Sequence, residues 1–221
     1  MTTTAQIEKT RFNMIEQQIR PWDVLDASIL ALLSIVKREK FLPPEHQAYA
    51  FIDMEAPLPG GQCMLSPKVE ARALQDLKIQ KHEKVLEIGT GSGYMAALLG
   101  ACAQSVLSLE ILPELASLAR KNLRDAGVHN VEVRQADGAQ GAAGDGPFDV
   151  IVLSGSVASV PEVLKAQLKV GGRLFAIVGQ DPVMQAHIIT RTSTTSYQTT
   201  TPWDIVAPRL AHFPEPSKFH F

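Results

Sequence analysis

Carboxylates and glycines recur where apolar runs end. The run that contains Glu87 stops at Ile88, and glycine then holds every second position at Gly89, Gly91 and Gly93, with Thr90 and Ser92 between them. A second run ends on Glu110 and Ile111, a third on Asp137 and Gly138, and a fourth on Ser154. Glycines at a turn let the backbone take positive φ and approach a ligand closely. A helix starting at about Ser92 would aim free N–H groups and a partial positive charge at that ligand. Carboxylates on neighbouring strand ends accept hydrogen bonds from hydroxyl and amino groups, each charged bond contributing about 1.5–3 kcal/mol. The chemistry on offer is the capture of a small polar molecule with a nucleoside-like half.

Three ligand classes compete for the turn. A phosphate-binding P-loop ends in Gly-Lys-Ser/Thr, so that a lysine reaches the phosphates; here Gly93 is followed by Tyr94 and Met95. A dinucleotide fingerprint needs G-x-G-x-x-G, and its third glycine, which lets helix and strand pack closely, falls on Tyr94. An acidic residue followed by G-x-G-x-G after the first strand is the pattern for S-adenosyl-L-methionine, and Glu87, Gly89, Gly91 and Gly93 fit it completely. In that reading Glu110 accepts from both ribose hydroxyls, Asp137 accepts from the adenine amino group, and Gly138 gives the ring room. Glu110 alone does not separate the last two classes, because dinucleotide folds use the same device.

Elements that would position these residues are written in the surrounding pattern. "KVLEIG" (84–89), "VLSLE" (106–110), "VEVRQAD" (131–137), "FDVIVLSG" (148–155) and "GRLFAIVG" (172–179) read as strands. Between them, "GYMAALLGACA" (93–103), "ELASLARKNLRDA" with Pro113 before it and Gly127 after it, and "VPEVLKAQL" read as helices. Alternating apolar strands and helices predict a parallel sheet covered on both faces, with ligands bound beyond the carboxyl ends of its strands. The Thr-rich segment "QAHIITRTSTTSYQTTTPWDIV" predicts a two-stranded hairpin with Pro202 on an edge. The first eighty residues predict helices, with Asp26 as an N-cap, followed by a Gly- and Pro-rich loop, "MEAPLPGGQCMLSP". We expect a single domain over 1–221, with a helical extension and substrate-side loop in 1–80 and the α/β core with its C-terminal hairpin in 81–221.

Composition bounds the rest. A net charge of -2 with no basic block gives no footprint for nucleic acid. No apolar stretch is long enough for a membrane span. Cys63 and Cys102 have no metal-ligand or redox spacing, and the six histidines form no cluster, so no metal is expected. A cytoplasmic protein, monomeric or a weak homodimer, is expected.

Over most of its length the sequence resembles the protein-L-isoaspartate O-methyltransferase family. "MIEQQIR", "VKREKFLP" and "AYAFIDMEAPLPGGQ" resemble that family's helical start and following loop; "VLEIGTGSGY", "VEVRQADGAQG", "PFDVIVLSG" and "LKVGGRLFAIVG" resemble its cofactor-binding half. The resemblance implies a Rossmann-like seven-stranded mixed sheet ending in an antiparallel hairpin. It also implies S-adenosyl-L-methionine as methyl donor, S-adenosyl-L-homocysteine as product, and the carboxyl of an isoaspartyl residue in a protein or peptide as acceptor. At one place the chain departs from the family. After Gly61-Gln62 the family carries Thr-Ile-Ser, and here Cys63-Met64-Leu65 stands instead, with no hydroxyl at Leu65. Ser66 follows, readable as the N-cap of a helix with Pro67 at its first position and also as a contact to the reacting groups. A different acceptor, such as a small molecule, and a paralogue that binds the cofactor without catalysis remain as alternatives, with a nicotinamide enzyme behind them.

Overall fold

A computed structural model describes residues 3–215. Seven strands form one sheet: β1 (Lys84–Ile88), β2 (Ser105–Glu110), β3 (Val131–Gln135), β4 (Phe148–Val157), β5 (Leu168–Gln180), β6 (Val183–Arg191) and β7 (Tyr197–Asp204). Their spatial order is β3-β2-β1-β4-β5-β6-β7. The first five strands are parallel, and the pairings of β5 with β6 and of β6 with β7 are antiparallel. Strand order therefore reverses between β1 and β4, which is where such sheets open a ligand crevice.

Both faces of the parallel part are buried. Val85, Val150 and Val152 join one apolar cluster, while Leu86, Ile151 and Leu153 join the other. This is the period-two alternation of strands covered on both sides. Four helices do the covering, α3 (Pro67–Leu77), α4 (Tyr94–Cys102), α5 (Pro113–Asp125) and α6 (Glu162–Ala166), while α1 (Thr4–Met14) and α2 (Ala27–Ile35) pack against other helical segments. α1 runs on into a π-helical turn, Ile15–Ile19. Asp26 caps α2 by accepting from the Ser28 N–H, as its position predicts. α5 starts at Pro113 and ends in a Schellman motif: Gly127 has φ 71°, its N–H reaches Arg124 O at 3.0 Å, and Val128 N–H reaches Leu123 O at 2.9 Å. α6 is shorter than its pattern suggests. Gln167 stops it by bonding Gln140 O and the Ala142 N–H, and the chain enters β5 at Leu168.

The C-terminal hairpin forms as expected. Pro202 lies on the edge strand β7 at a bulge, where Thr201 and Pro202 oppose His187 alone, so the missing N–H costs no ladder bond. Trp203 donates to Asp76 Oδ2 at 2.8 Å and ties the hairpin to α3. The chain then turns back across the sheet. Residues 207–210 run beside Ser156 of β4, whose N–H bonds Pro208 O at 2.7 Å and whose carbonyl accepts from Leu210 N–H at 2.9 Å.

The N-terminal helices are not an appendage. Met14, Ile19, Leu33 and Phe41 share one apolar cluster with Tyr94, Leu98 and Phe175 of the α/β core. Arg38, 1% exposed, crosses that interface. It pairs with Glu70 of α3, donates to Leu65 O at 2.7 Å and lies over the Tyr94 ring. Removing one partner of a buried pair leaves the other charge uncompensated, at a cost of about 3–5 kcal/mol. Arg38→Met is expected to destabilise by that amount in urea unfolding, and adding Glu70→Leu is expected to recover most of it.

Candidate active site

The glycine turn leaves β1 directly. Gly89 N–H completes the ladder with Leu109 O at 2.9 Å, and φ is +92° at Gly89, +54° at Gly91 and +87° at Gly93. Gly93 is the N-cap of α4, and a Cβ there would stand 3.2 Å from Ala119 Cβ. That glycine serves helix packing, whereas Gly89 and Gly91 face a cavity at the carboxyl edge of the sheet.

Glu110 ends β2 and lines the same cavity at 5% exposure. Its Oε2 accepts from Gly91 N–H at 2.8 Å and its Oε1 from Leu112 N–H at 3.0 Å. The two backbone bonds fix the carboxylate, and each oxygen keeps a further lone pair. Asp137, beyond β3, caps a short 3-10 turn by accepting from Ala139 N–H at 3.0 Å; His212 Nδ1 is 2.7 Å from its other oxygen. These partners hold the Asp137 carboxyl below its ordinary pKa, the Ala139 bond first and His212 second. Gly138 also lines the cavity, but a Cβ on it would meet Ile88 Cγ2 at 2.3 Å, so packing against β1 alone already demands glycine there.

Ser154 completes this edge from β4. Three residues, Leu153–Gly155, oppose Ala176 alone on β5, and the bulge turns Ser154 toward the cavity. Ile111 lines the cavity too, and Leu109, Leu112 and Leu115 give it an apolar wall. Its free volume is about 120 Å³, smaller than the usual small-molecule site.

Several residues expected at the ligand lie elsewhere. Glu87 is fully buried beneath the cavity instead of lining it. Its oxygens accept from Ser108 Oγ at 2.5 Å and Ser154 Oγ at 2.8 Å. Thr90 turns inward to Ser108 at 2.6 Å, and Ser92, 2% exposed, offers its carbonyl to Asn122. Neither Thr90, Ser92 nor Gly93 lines the cavity. In the substrate-side loop, Ala56 and Pro57 pair with Met64 and Cys63, and Gly60 and Gly61 turn between them at positive φ. This small hairpin brings Gln62 and Cys63 to the cavity and leaves Gly61, Met64, Leu65 and Ser66 away from it. Leu65 packs inward beside Val69, Met95 and Phe175. Ser66 is the N-cap residue of α3, yet its hydroxyl makes no capping bond; its carbonyl takes the first helical N–H groups. Ser66 is 8% exposed and does not border the cavity, which removes the geometric case for a catalytic role. Burial, and then the Glu55 charge, push the Cys63 thiol up to about 11, so it is not a thiolate at neutral pH.

A fourth wall carries no signal in the sequence. Arg209, Leu210, Ala211 and Phe213, from the segment after β7, line the cavity. Leu210 fills the space beside Gly89 and Gly155, where a Cβ on either would meet it within 2.8 Å. That segment has no periodicity and no motif. No group of three or more His, Cys, Asp or Glu side chains with metal-holding geometry occurs among the described residues, and no helix there is long and apolar enough to cross a membrane.

Burial raises the Glu87 carboxyl from 4.5 to about 8, against the lowering effect of its two serine donors. The folded protein therefore favours its protonated form. That contribution is complete below pH 4.5 and is lost as pH rises toward 8. Glu87→Gln keeps a donor and an acceptor without the titration. Its thermal midpoint is expected to match wild type near pH 5 and to exceed it by about 5 °C or more at pH 9 in calorimetric scans.

A family model described as Protein-L-isoaspartate(D-aspartate) O-methyltransferase matches residues 9–205. Among curated relatives, the Protein-L-isoaspartate O-methyltransferase of Methanoculleus marisnigri is 42% identical over 171 residues, 77% of this chain and 78% of its own. That of Koribacter versatilis is 40% identical over 181 residues, 82% of this chain and 81% of its own. Among solved structures, one from Plasmodium falciparum is described as a beta-aspartate methyltransferase in complex with S-adenosyl-L-homocysteine. It superposes with a TM-score of 0.77 at 19% identity, over 90% of this chain and 96% of that one. Such distant identity speaks for the fold, and the sequence matches speak for descent. The chain belongs to the protein-L-isoaspartate (D-aspartate) O-methyltransferase family.

Proposed function

We propose that the chain transfers a methyl group from S-adenosyl-L-methionine to the carboxyl of isoaspartyl residues in proteins and peptides, releasing S-adenosyl-L-homocysteine. The observation that carries the reading is the shared cavity of Glu110, Asp137 and the bare backbone of Gly89 and Gly91 in a chain of this family. The residues suit an adenosyl group. Glu110 has lone pairs to spare for a ribose diol, and Asp137 for an exocyclic amine once His212 yields its oxygen. Leu109, Leu112 and Leu115 offer an apolar bed for a ring. Glu87 acts one layer down, holding Ser154 and Ser108 where β4 and β2 meet the turn.

When bound, the sulfonium supplies the electrophilic methyl. The chain's own task is to hold an acceptor in line and keep water out, which alone contributes about 7–11 kcal/mol. None of the cavity-lining side chains is equipped as a general base. Cys63 stays protonated, and in this reading the lone pairs that Glu110 and Asp137 keep beyond their backbone bonds are taken up by the adenosyl group. Such a site favours an acceptor that arrives already ionised, which a carboxylate does at neutral pH. An amine or phenol would need a proton removed.

Two outcomes test this reading. Methanol is expected after incubation of the protein and S-adenosyl-L-methionine with an isoaspartyl peptide, and not with the normal aspartyl peptide of the same sequence. Glu110→Ala is expected to weaken S-adenosyl-L-homocysteine binding by about ten- to a hundredfold in calorimetry, while NAD binds neither form.

A further inference from the structure

We infer that Arg209 is the residue that holds the acceptor's carboxylate, an assignment that rests on the methyl-transfer reading above. Arg209 lies in the stretch after residue 205, outside the family match. It is the one Lys or Arg residue lining the cavity among the described residues. Its backbone pairs with Ser156 in a parallel bridge, and its Nη1 donates to Gly179 O at 2.9 Å, with Ser156 Oγ at 3.5 Å. These contacts hold the guanidinium over the carboxyl ends of β4 and β5, beside the bulge that carries Ser154. Glu110 and Asp137 stand at the ends of β2 and β3.

The cavity is therefore polarised. Two carboxylates mark one side and a guanidinium the other, so an incoming anion is repelled from the first and drawn to the second. A carboxylate already sits on this cation: Glu215 Oε1 is 2.9 Å from Arg209 Nε. Glu215 is 51% exposed, and so exposed a pair contributes at most about 1 kcal/mol. An acceptor can displace it at little cost, and the planar guanidinium, with five N–H donors, suits a second carboxylate. The chain also needs such a group. Leu65 brings no hydroxyl, and the substrate-side loop offers the cavity only Gln62 and the neutral thiol of Cys63.

The test uses the full chain with Arg209→Met and Arg209→Lys, and reads an isoaspartyl peptide by KM, kcat and calorimetric affinity for the S-adenosyl-L-homocysteine complex. Arg209→Met is expected to raise KM and peptide Kd by about tenfold or more and to lower kcat, because the acceptor is no longer held in line, with S-adenosyl-L-homocysteine affinity nearly unchanged; Arg209→Lys falls between. Glu215→Gln is expected to lower KM. A peptide carrying a carboxamide in place of the acceptor carboxylate is expected to bind wild type and Arg209→Met alike. Unchanged KM and Kd in Arg209→Met overturn the assignment while leaving the reaction intact. Loss of S-adenosyl-L-homocysteine affinity overturns it as well, by giving the guanidinium to the methyl donor's own carboxylate. Arg209-dependent peptide binding without methanol release sinks the reaction and keeps the anchor.

Discussion

The carboxyl of Glu87 joins three strands at the point where the site begins. It leaves β1 and takes one hydroxyl from β2 and one from β4. Ser108 in turn meets Thr90, the second residue of the glycine turn. A polar group in a water-excluded interior is costly unless its bonds are made. Sliding β2 or β4 by one residue would break those bonds and invert every side chain between the faces. The arrangement therefore fixes register where Gly89, Gly91 and Ser154 must stand together.

Above this layer, Glu110 does for the backbone what Glu87 does for the strands. By accepting from Gly91 and Leu112 it links the turn after β1 to the turn after β2. The two carboxylates look alike in the sequence, each near the end of an apolar run. They differ in which neighbour faces them. Glu87 meets serines across the sheet, 21 and 67 residues away. Glu110 meets amides of adjoining turns.

That difference explains what could be read in the sequence. The strands, α4, α5 with its Pro113 start and Gly127 end, the Asp26 cap and the edge position of Pro202 follow from local rules, and they hold in the structure. The glycine spacing points to the sheet edge where the cavity lies. Which of Glu87, Thr90 and Ser92 turn inward is not legible, because their partners come from distant elements: strands for Glu87 and Thr90, and α5 for Ser92. Ser66 is legible only in part, for a related reason. Its position at the helix start was right, but the direction of the loop depends on Arg38 gripping Leu65 O from 27 residues upstream. The wall from Arg209 to Phe213 left no trace, since it is irregular chain placed by backbone bonds to Ser156.

Gln62 and Cys63 reach the cavity from before β1, and Phe213 reaches it from the segment after β7. Between them lies the whole parallel sheet. On a ribosome, everything up to the end of β7 can emerge and fold while one side of the crevice is still missing. The chamber closes only when the segment after the hairpin has left the exit tunnel and lies down beside Ser156. A nascent chain stalled after the hairpin would carry the architecture with an open side.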